Sequence, residues 1–266
     1  GSVNMLVSHS VLRFTSQNIK TQSSGVPVAL GGTVEVTNDS YKGSNITGSL
    51  AGGSLAATVN IQRSPRQEVE IEILANGLDL SSMKALALGV PKEAFSGLIN
   101  HLSVKATARK EDLLASAHGE GVIEITDGTV RHASYDKKVV GLIKAIPVVG
   151  EAVSFTSSAT NSSTYQMQGG MLKEITADFT IADRRFTSNN LKGKGRFTNI
   201  HGSGNVSFEG ALNVTASAIY LEQNLKALAG PITPLGSLFG TIGKIEIPLL
   251  ITGSLNNPQI NADLTR

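Results

Sequence analysis

The 266-residue chain has no cysteine and no tryptophan. Without cysteine there is no disulfide, no thiolate metal ligand and no cysteine nucleophile. That absence does not fix the compartment, because a large β protein in an oxidising space can do without bridges. Aromatic residues are 5% of the chain, so buried surface has to come from Val, Ile, Leu and Ala rather than from large rings. Charge is sparse too: charged residues make up 17%, against roughly 25% in an average globular chain. The 23 Lys and Arg nearly balance the 21 Asp and Glu, for a net charge of +2. This argues against a nucleic-acid binder that works by neutralising many phosphates. The longest nearly apolar run, 139–149, is interrupted by Gly141, Lys144 and Pro147, and falls short of the ~20 residues of a membrane span. Gly1-Ser2 reads as a cloning remnant and no signal peptide is visible, so an anchor, if the parent protein has one, is expected outside this sequence.

What is present is apolar alternation and glycine. Apolar residues are 40% of the chain and glycine is 28 of 266, above the ~7% average for glycine. Glu68-Val69-Glu70-Ile71-Glu72-Ile73 puts three acids on one face and three β-branched aliphatics on the other, the pattern of a half-buried strand. Thr33–Val36, Ile175–Ile181, Asn205–Glu209, Ala211–Ala216 and Lys244–Thr252 repeat it. Turn signals fall at Asn38-Asp39, Gly52-Gly53, Asn76-Gly77, Asp127-Gly128, Asn189-Asn190 and Asn256-Asn257-Pro258. Strands at this spacing predict an antiparallel meander. Helices are expected at Ser81–Leu88 with Ser81 as a cap, at Pro91–Leu102, at Asp136–Ile146 and at Leu221–Ala229. They are short enough to cap a sheet rather than to form a layer. The fold predicted is mostly β: a curved antiparallel sheet forming an apolar groove, with two or three short capping helices.

Catalytic patterns are incomplete. His9, His101, His118, His132 and His201 show no metal-binding spacing. Ser81-Ser82-Met83-Lys84 matches Ser-x-x-Lys but lacks the companion motifs, and a helix start explains Ser81 better. Gly193-x-Gly195 and Gly202-x-Gly204 lack the third glycine of a dinucleotide loop. The acidic face of Glu68, Glu70 and Glu72 reads as a wet strand face. No acid, base and nucleophile come together in the sequence, so the chain reads as a non-enzyme without cofactor or metal. Lys192, Lys194 and Arg196 alternate with glycine and phenylalanine and project as a basic stripe near Arg184-Arg185. The stripe is either a candidate lipid-headgroup contact or a solvated face.

The second half carries a family pattern. His118-Gly119-Glu120-Gly121-Val122-Ile123-Glu124-Ile125-Thr126-Asp127-Gly128-Thr129-Val130, followed by an amphipathic stretch at Lys137–Ile146, resembles the opening of the C-terminal region of the AsmA family. Asp178–Ile181, Asn189-Asn190-Leu191 and Gly202-Ser203-Gly204-Asn205-Val206 follow in the family's order. Ile247-Pro248-Leu249-Leu250-Ile251-Thr252-Gly253 and Asn257-Pro258 resemble its ending. In the first half, Gly48-Ser49-Leu50-Ala51-Gly52-Gly53 and Gly77-Leu78-Asp79-Leu80 resemble its recurrent glycine turns. The expected organisation is a β-groove segment over 3–117, with short helices near 81–102, and an AsmA-like C-terminal region over 118–266.

The resemblance implies a module in the periplasm of a Gram-negative cell envelope, tethered to the inner membrane by an anchor outside this sequence. AsmA-like proteins are similar to bridge-like lipid transfer proteins, so the implied function is binding phospholipid acyl chains and supporting lipid transport in outer-membrane biogenesis. The implied partners are phospholipid, the membrane and an envelope protein, with no nucleic acid. The sequence supports a groove independently of the name. Amphipathic strands with too few helices to cover them must either close as a sandwich or curl around something apolar. The candidate groove lining is Val34, Val36, Val69, Ile71, Ile73, Ile123, Ile125, Phe179, Ile181, Val206, Phe208, Leu212, Val214, Ile245 and Ile247. Each is equally explained as packed core. The competing function is a structural or assembly module with a closed core, acting through a protein partner at a sheet edge.

Overall fold

The computed structural model describes residues 3–8, 11–23, 26–63, 67–83, 95–130, 171–195, 198–221, 244–255 and 257–262. They form one large open antiparallel sheet. Its first half comprises β1 (Val3–Ser8), β2 (Val11–Ser23), β3 (Val26–Val36), β4 (Ser40–Leu50), β5 (Gly53–Gln62), β6 (Glu68–Asn76), the two-residue β7 (Leu78–Asp79) and β8 (Phe95–Arg109). The second half comprises β9 (His118–Val130), β10 (Met171–Ala182), β11 (Arg185–Gly195), β12 (Thr198–Ser207), β13 (Ala211–Leu221), β14 (Lys244–Ser254) and β15 (Asn257–Ala262). Apart from β7, which pairs only with β8, each strand lies beside its neighbours in sequence, from β1 at one edge to β15 at the other. The pairing of β8 with β9 carries the sheet past residue 117 without a break.

The alternation read at Glu68–Ile73 is that of β6, and those at Thr33–Val36, Ile175–Ile181, Ala211–Ala216 and Lys244–Thr252 lie within β3, β10, β13 and β14. Hairpins close where turn chemistry permits. Between β4 and β5, Ala51 and Gly52 both have positive φ, 49° and 83°, as the primed two-residue turns of hairpins require. This turn docks on β7, whose Asp79 N–H donates to the Ala51 carbonyl at 3.0 Å. Pro248 is tolerated inside β14 because of where it falls. The β14–β15 hairpin pairs Ser254 with Asn257, and pairing with β15 ends at Leu249 opposite Ala262. By the alternation of the ladder, the N–H that proline lacks would point to the β15 side, one residue beyond that end.

Several expectations are corrected. The helix over Pro91–Leu102 is overturned from Phe95 onward, because Phe95–Arg109 is the long strand β8, laddered on both sides. Pairing along two edges outweighs a local helix preference. Asp127-Gly128 lies inside β9 at a bulge opposite Gly97, and Asn189-Asn190 lies inside β11 at a bulge opposite Ser203. Polar residues suited to turns serve equally where a strand takes one extra residue. The turn between β10 and β11 is Asp183-Arg184, both at positive φ. β12 stops at Ser207, before Phe208 and Glu209. The helices expected at Asp136–Ile146 and, beyond Leu221, up to Ala229 lie outside the described residues, as does Ser81–Leu88 beyond Met83.

The helix near Ser81 is the single turn α1 (Leu80–Met83), and its cap is Asp79 rather than Ser81. The Asp79 carboxylate accepts the Ser81 N–H at 2.9 Å and the hydroxyls of Ser81 and Ser82 at 2.6 Å. It holds the strap that carries Leu78 into a small core with Ala75 and Ile99. The Ser81 hydroxyl first, then that of Ser82, hold the Asp79 carboxyl below its ordinary value. A lowered carboxyl pKa contributes stability that is present above the unfolded value, about 4, and is lost as pH falls through the folded one. Asp79→Ala is therefore expected to cost ~1 kcal/mol at neutral pH. Its melting curve should converge on wild type as the pH drops below about 4. A gap that stays constant with pH would refute the assignment.

Candidate functional site: the apolar face

The register of the sheet places apolar side chains in rows that run across the strands. The longest row crosses all of them except β7: Met5, Phe14, Val34, Gly43, Val59, Ile71, Ala106, Gly119, Ile181, Phe186, Val206, Leu212, Gly253 and Pro258 are successive partners. None has a polar side chain. At about 4.8 Å per strand the row is about 60 Å long. One residue along, the matching row is Arg13, Glu35, Lys42, Asn60, Glu70, Thr107 and His118, every one polar. From β2 to β9 the two rows thus differ in chemistry although they lie a single residue apart, while exposed Leu74 and Val122 add apolar surface to the polar face.

Further apolar rows flank the long one. Val36, Tyr41, Ile61, Val69 and Ala108 form one. Ile46, Ala57, Ile73, Val104, Gly121 and Phe179 form another. Leu78, Ile99, Ile125, Ile175, Gly193, Ile200, Ala218 and Ile247 form a third. A hollow of about 910 Å³ runs from β4 to β11 along the Ile46–Phe179 strand positions, but its wall is made mostly by side chains of the opposite face, among them Thr58, Glu72, Leu74, Lys105, Glu120 and Thr180.

The candidate lining falls on this one face. Val34, Ile71, Ile181, Val206 and Leu212 are in the long row. Val36, Val69, Ile73, Phe179, Ile125 and Ile247 are in its companions. Ile123 sits opposite Leu102 and Ala177, and Val214 opposite Gly204 and Ile251. Ile245 holds the register position opposite Tyr220. Phe208, just past β12, meets the Phe186 ring at 5.1 Å between centroids.

These residues are not equally covered. Ile123 and Ile125 pack against Ala75, Leu78 and Ile99, and Ile181 and Ile247 are buried, so these four serve the protein's own packing. Val34 is exposed at 38% and Phe186 at 39%. Val36, Val69, Ile71, Ile73, Phe179, Val206, Leu212 and Val214 are half-buried. Comparison with protein-family models, curated proteins and solved structures finds no match. The function therefore has to be argued from this face.

The basic stripe lies on the other face. Lys192 sits opposite Thr176 and His201, and Lys194 is tied to Glu174 at 2.8 Å. Lys192 lines a separate hollow of about 670 Å³ with His201, Ser217 and Glu246. Arg196 lies outside the described residues. The Glu70–Glu72 face is a solvated ladder: Glu72 pairs with Lys105 at 3.0 Å and Glu70 accepts from Asn60 at 3.1 Å. Hydrogen bonding to Glu72, then its charge, holds the Lys105 ammonium above its ordinary pKa. Among the described residues, no three His, Cys, Asp or Glu side chains gather where they could hold a metal ion, and no helix is long and apolar enough to cross a membrane.

Sequence reasoning missed Ile46, Val59, Val104, Ala106 and Phe186. In β4 the alternation is broken by a bulge between Gly43 and Ile46, marked by Asn45 at φ 51°. The signal for β8 was present in Val104-Lys105-Ala106-Thr107-Ala108, just past the expected helix.

Proposed function

We propose that this chain binds the acyl chains of phospholipid on its apolar face and supports lipid transport between the inner and outer membranes of a Gram-negative envelope, as a periplasmic module of an AsmA-like protein. The observation that carries the reading is the unbroken apolar row from Met5 to Pro258. An apolar row left largely half-buried, with Val34 and Phe186 exposed, is surface that something else can cover. Its chemistry favours hydrocarbon over protein. Protein interfaces concentrate their energy in Trp, Tyr and Arg, whereas this face is mostly Val, Ile, Leu, Ala and Gly, its rings being Phe apart from Tyr41 and the buried Tyr220. Acyl chains need only area, at about 0.8 kcal/mol per buried CH₂, and no hydrogen-bonding partner. A path of about 60 Å also exceeds the ~45 Å of a bilayer with its headgroups, so several acyl chains would fit side by side. In this reading the sheet curves around its cargo as a groove, with the short helices as caps.

The test is native mass spectrometry of the chain purified from bacterial membranes, together with uptake of a fluorescent phospholipid from vesicles. Co-purified phospholipid and saturable uptake are expected. Lipid-free protein that takes up no probe would overturn the proposal. In vivo crosslinking to an envelope protein, in the absence of any uptake, would establish the assembly role instead.

A further inference from the structure

The Ile46–Phe179 row is interrupted by its own last member. Phe179 is directly opposite Gly121, and its ring lies over the glycine, filling the space a side chain there would take. Phe186 braces it edge-on, with centroids 5.6 Å apart and planes at 80°, and Phe208 meets Phe186 at 5.1 Å with planes tilted by 47°. Three of the chain's eight phenylalanines thus meet at one point of a mostly aliphatic face. On the far side of the ring the face resumes with Gly204, Val214 and Ile251, successive partners across β12 to β14. An aromatic ring braced from behind is a stiffer obstacle than an aliphatic side chain, since edge-to-face contact adds to its packing.

We infer that Phe179 is the residue that sets how far a hydrocarbon chain can extend across the sheet, dividing the face at the step from β9 to β10. This rests on the hydrocarbon reading above and deepens it: the division makes the β4–β9 half a compartment of defined length, selective for acyl-chain length. A chain laid along the row from Ile46 to Gly121 stops against the ring. Without the ring it runs on toward Val214.

The experiment measures affinity for saturated fatty acids of increasing length by displacement of a fluorescent fatty acid, on the full chain. In wild type, affinity should rise about fourfold for each added methylene that is buried and then level off. Phe179→Ala should move the plateau to longer chains. Phe179→Leu, a smaller change in core volume, should move it part of the way. Unchanged plateaus in folded variants would overturn the inference. In wild type itself, a fatty acid with a terminal diazirine should label residues of β4 to β10. Labelling of Val214 or Ile251 would overturn the inference whether or not the variants fold. The two failures are distinct. Wild type that takes up no fatty acid of any length refutes hydrocarbon binding, whereas binding with an unmoved plateau refutes only the role of Phe179.

Discussion

Ile73→Asp is expected to reduce lipid uptake at least ~100-fold while leaving a folded sheet. Ile73 lies in the middle of the Ile46–Phe179 row, between Ala57 and Val104. In the empty protein the position is only half-buried, so water can reach a carboxylate there, and the stability loss should stay near ~2 kcal/mol. An acyl chain laid along the row would strip that water away. Burying an unpaired carboxylate costs several kcal/mol, and about 2.7 kcal/mol already corresponds to 100-fold in affinity. The control is Thr58→Asp. Thr58 follows Ala57 on the opposite face and pairs with Glu72, so it adds the same charge without touching the apolar row. Uptake of fluorescent phospholipid by the three proteins, with thermal melts alongside, decides the matter. Equal inhibition by both variants, or none by Ile73→Asp, would place the lipid elsewhere.

The contrast between those two positions was legible in the sequence, because it needs only the period of a strand. Glu68–Ile73 assigns Val69, Ile71 and Ile73 to one face without any structure. What the pattern could not supply is register between strands, which is set by hairpin turns and bulges rather than by alternation. The continuous row from Met5 to Pro258 depends on bulges near Asn45 and at Asn189-Asn190, each shifting one strand by a residue relative to its neighbour. Asn and Asp read as turn formers because they accept left-handed backbone, and a bulge uses the same capacity without reversing the chain. β8 was mistaken in its first half for a similar reason: Phe95–Leu102 becomes a strand through β6, β7 and β9 around it, not through its own composition. The site followed the same division. The aliphatic lining could be named residue by residue, but coverage could not. Nothing in Ile123 or Ile125 announces that the β7 strap brings Leu78 onto them, while Ile73 and Val34 remain accessible. The basic stripe alternates correctly, yet its pairing of Lys194 with Glu174 required knowing that β10 is its neighbour.

The same face predicts opposite effects for one substitution at two glycines. A Cβ at Gly121 would lie 2.5 Å from the Ser103 carbonyl oxygen on β8 and would strike the Phe179 ring. The ring can turn aside, but the carbonyl belongs to a laddered strand and can move only if the β8–β9 pairing opens. Gly121→Ala should therefore destabilise by ~2 kcal/mol and Gly121→Val by more than ~3 kcal/mol, the upper range for overpacking. For a chain of this size that is a fall of about 6–12 °C in Tm for the valine variant. At Gly193, on the same face, the nearest atoms to an added Cβ are Ile200 Cβ at 3.4 Å and the Leu172 methyls at 3.7 Å, ordinary contact distances. Gly193→Ala should be neutral or stabilising by up to ~1 kcal/mol, since it removes freedom from the unfolded chain without a clash. Thermal melts of the three variants test both signs at once. A Gly121→Ala protein as stable as wild type would mean that β8 yields at the Ser103 carbonyl, and would overturn the steric argument.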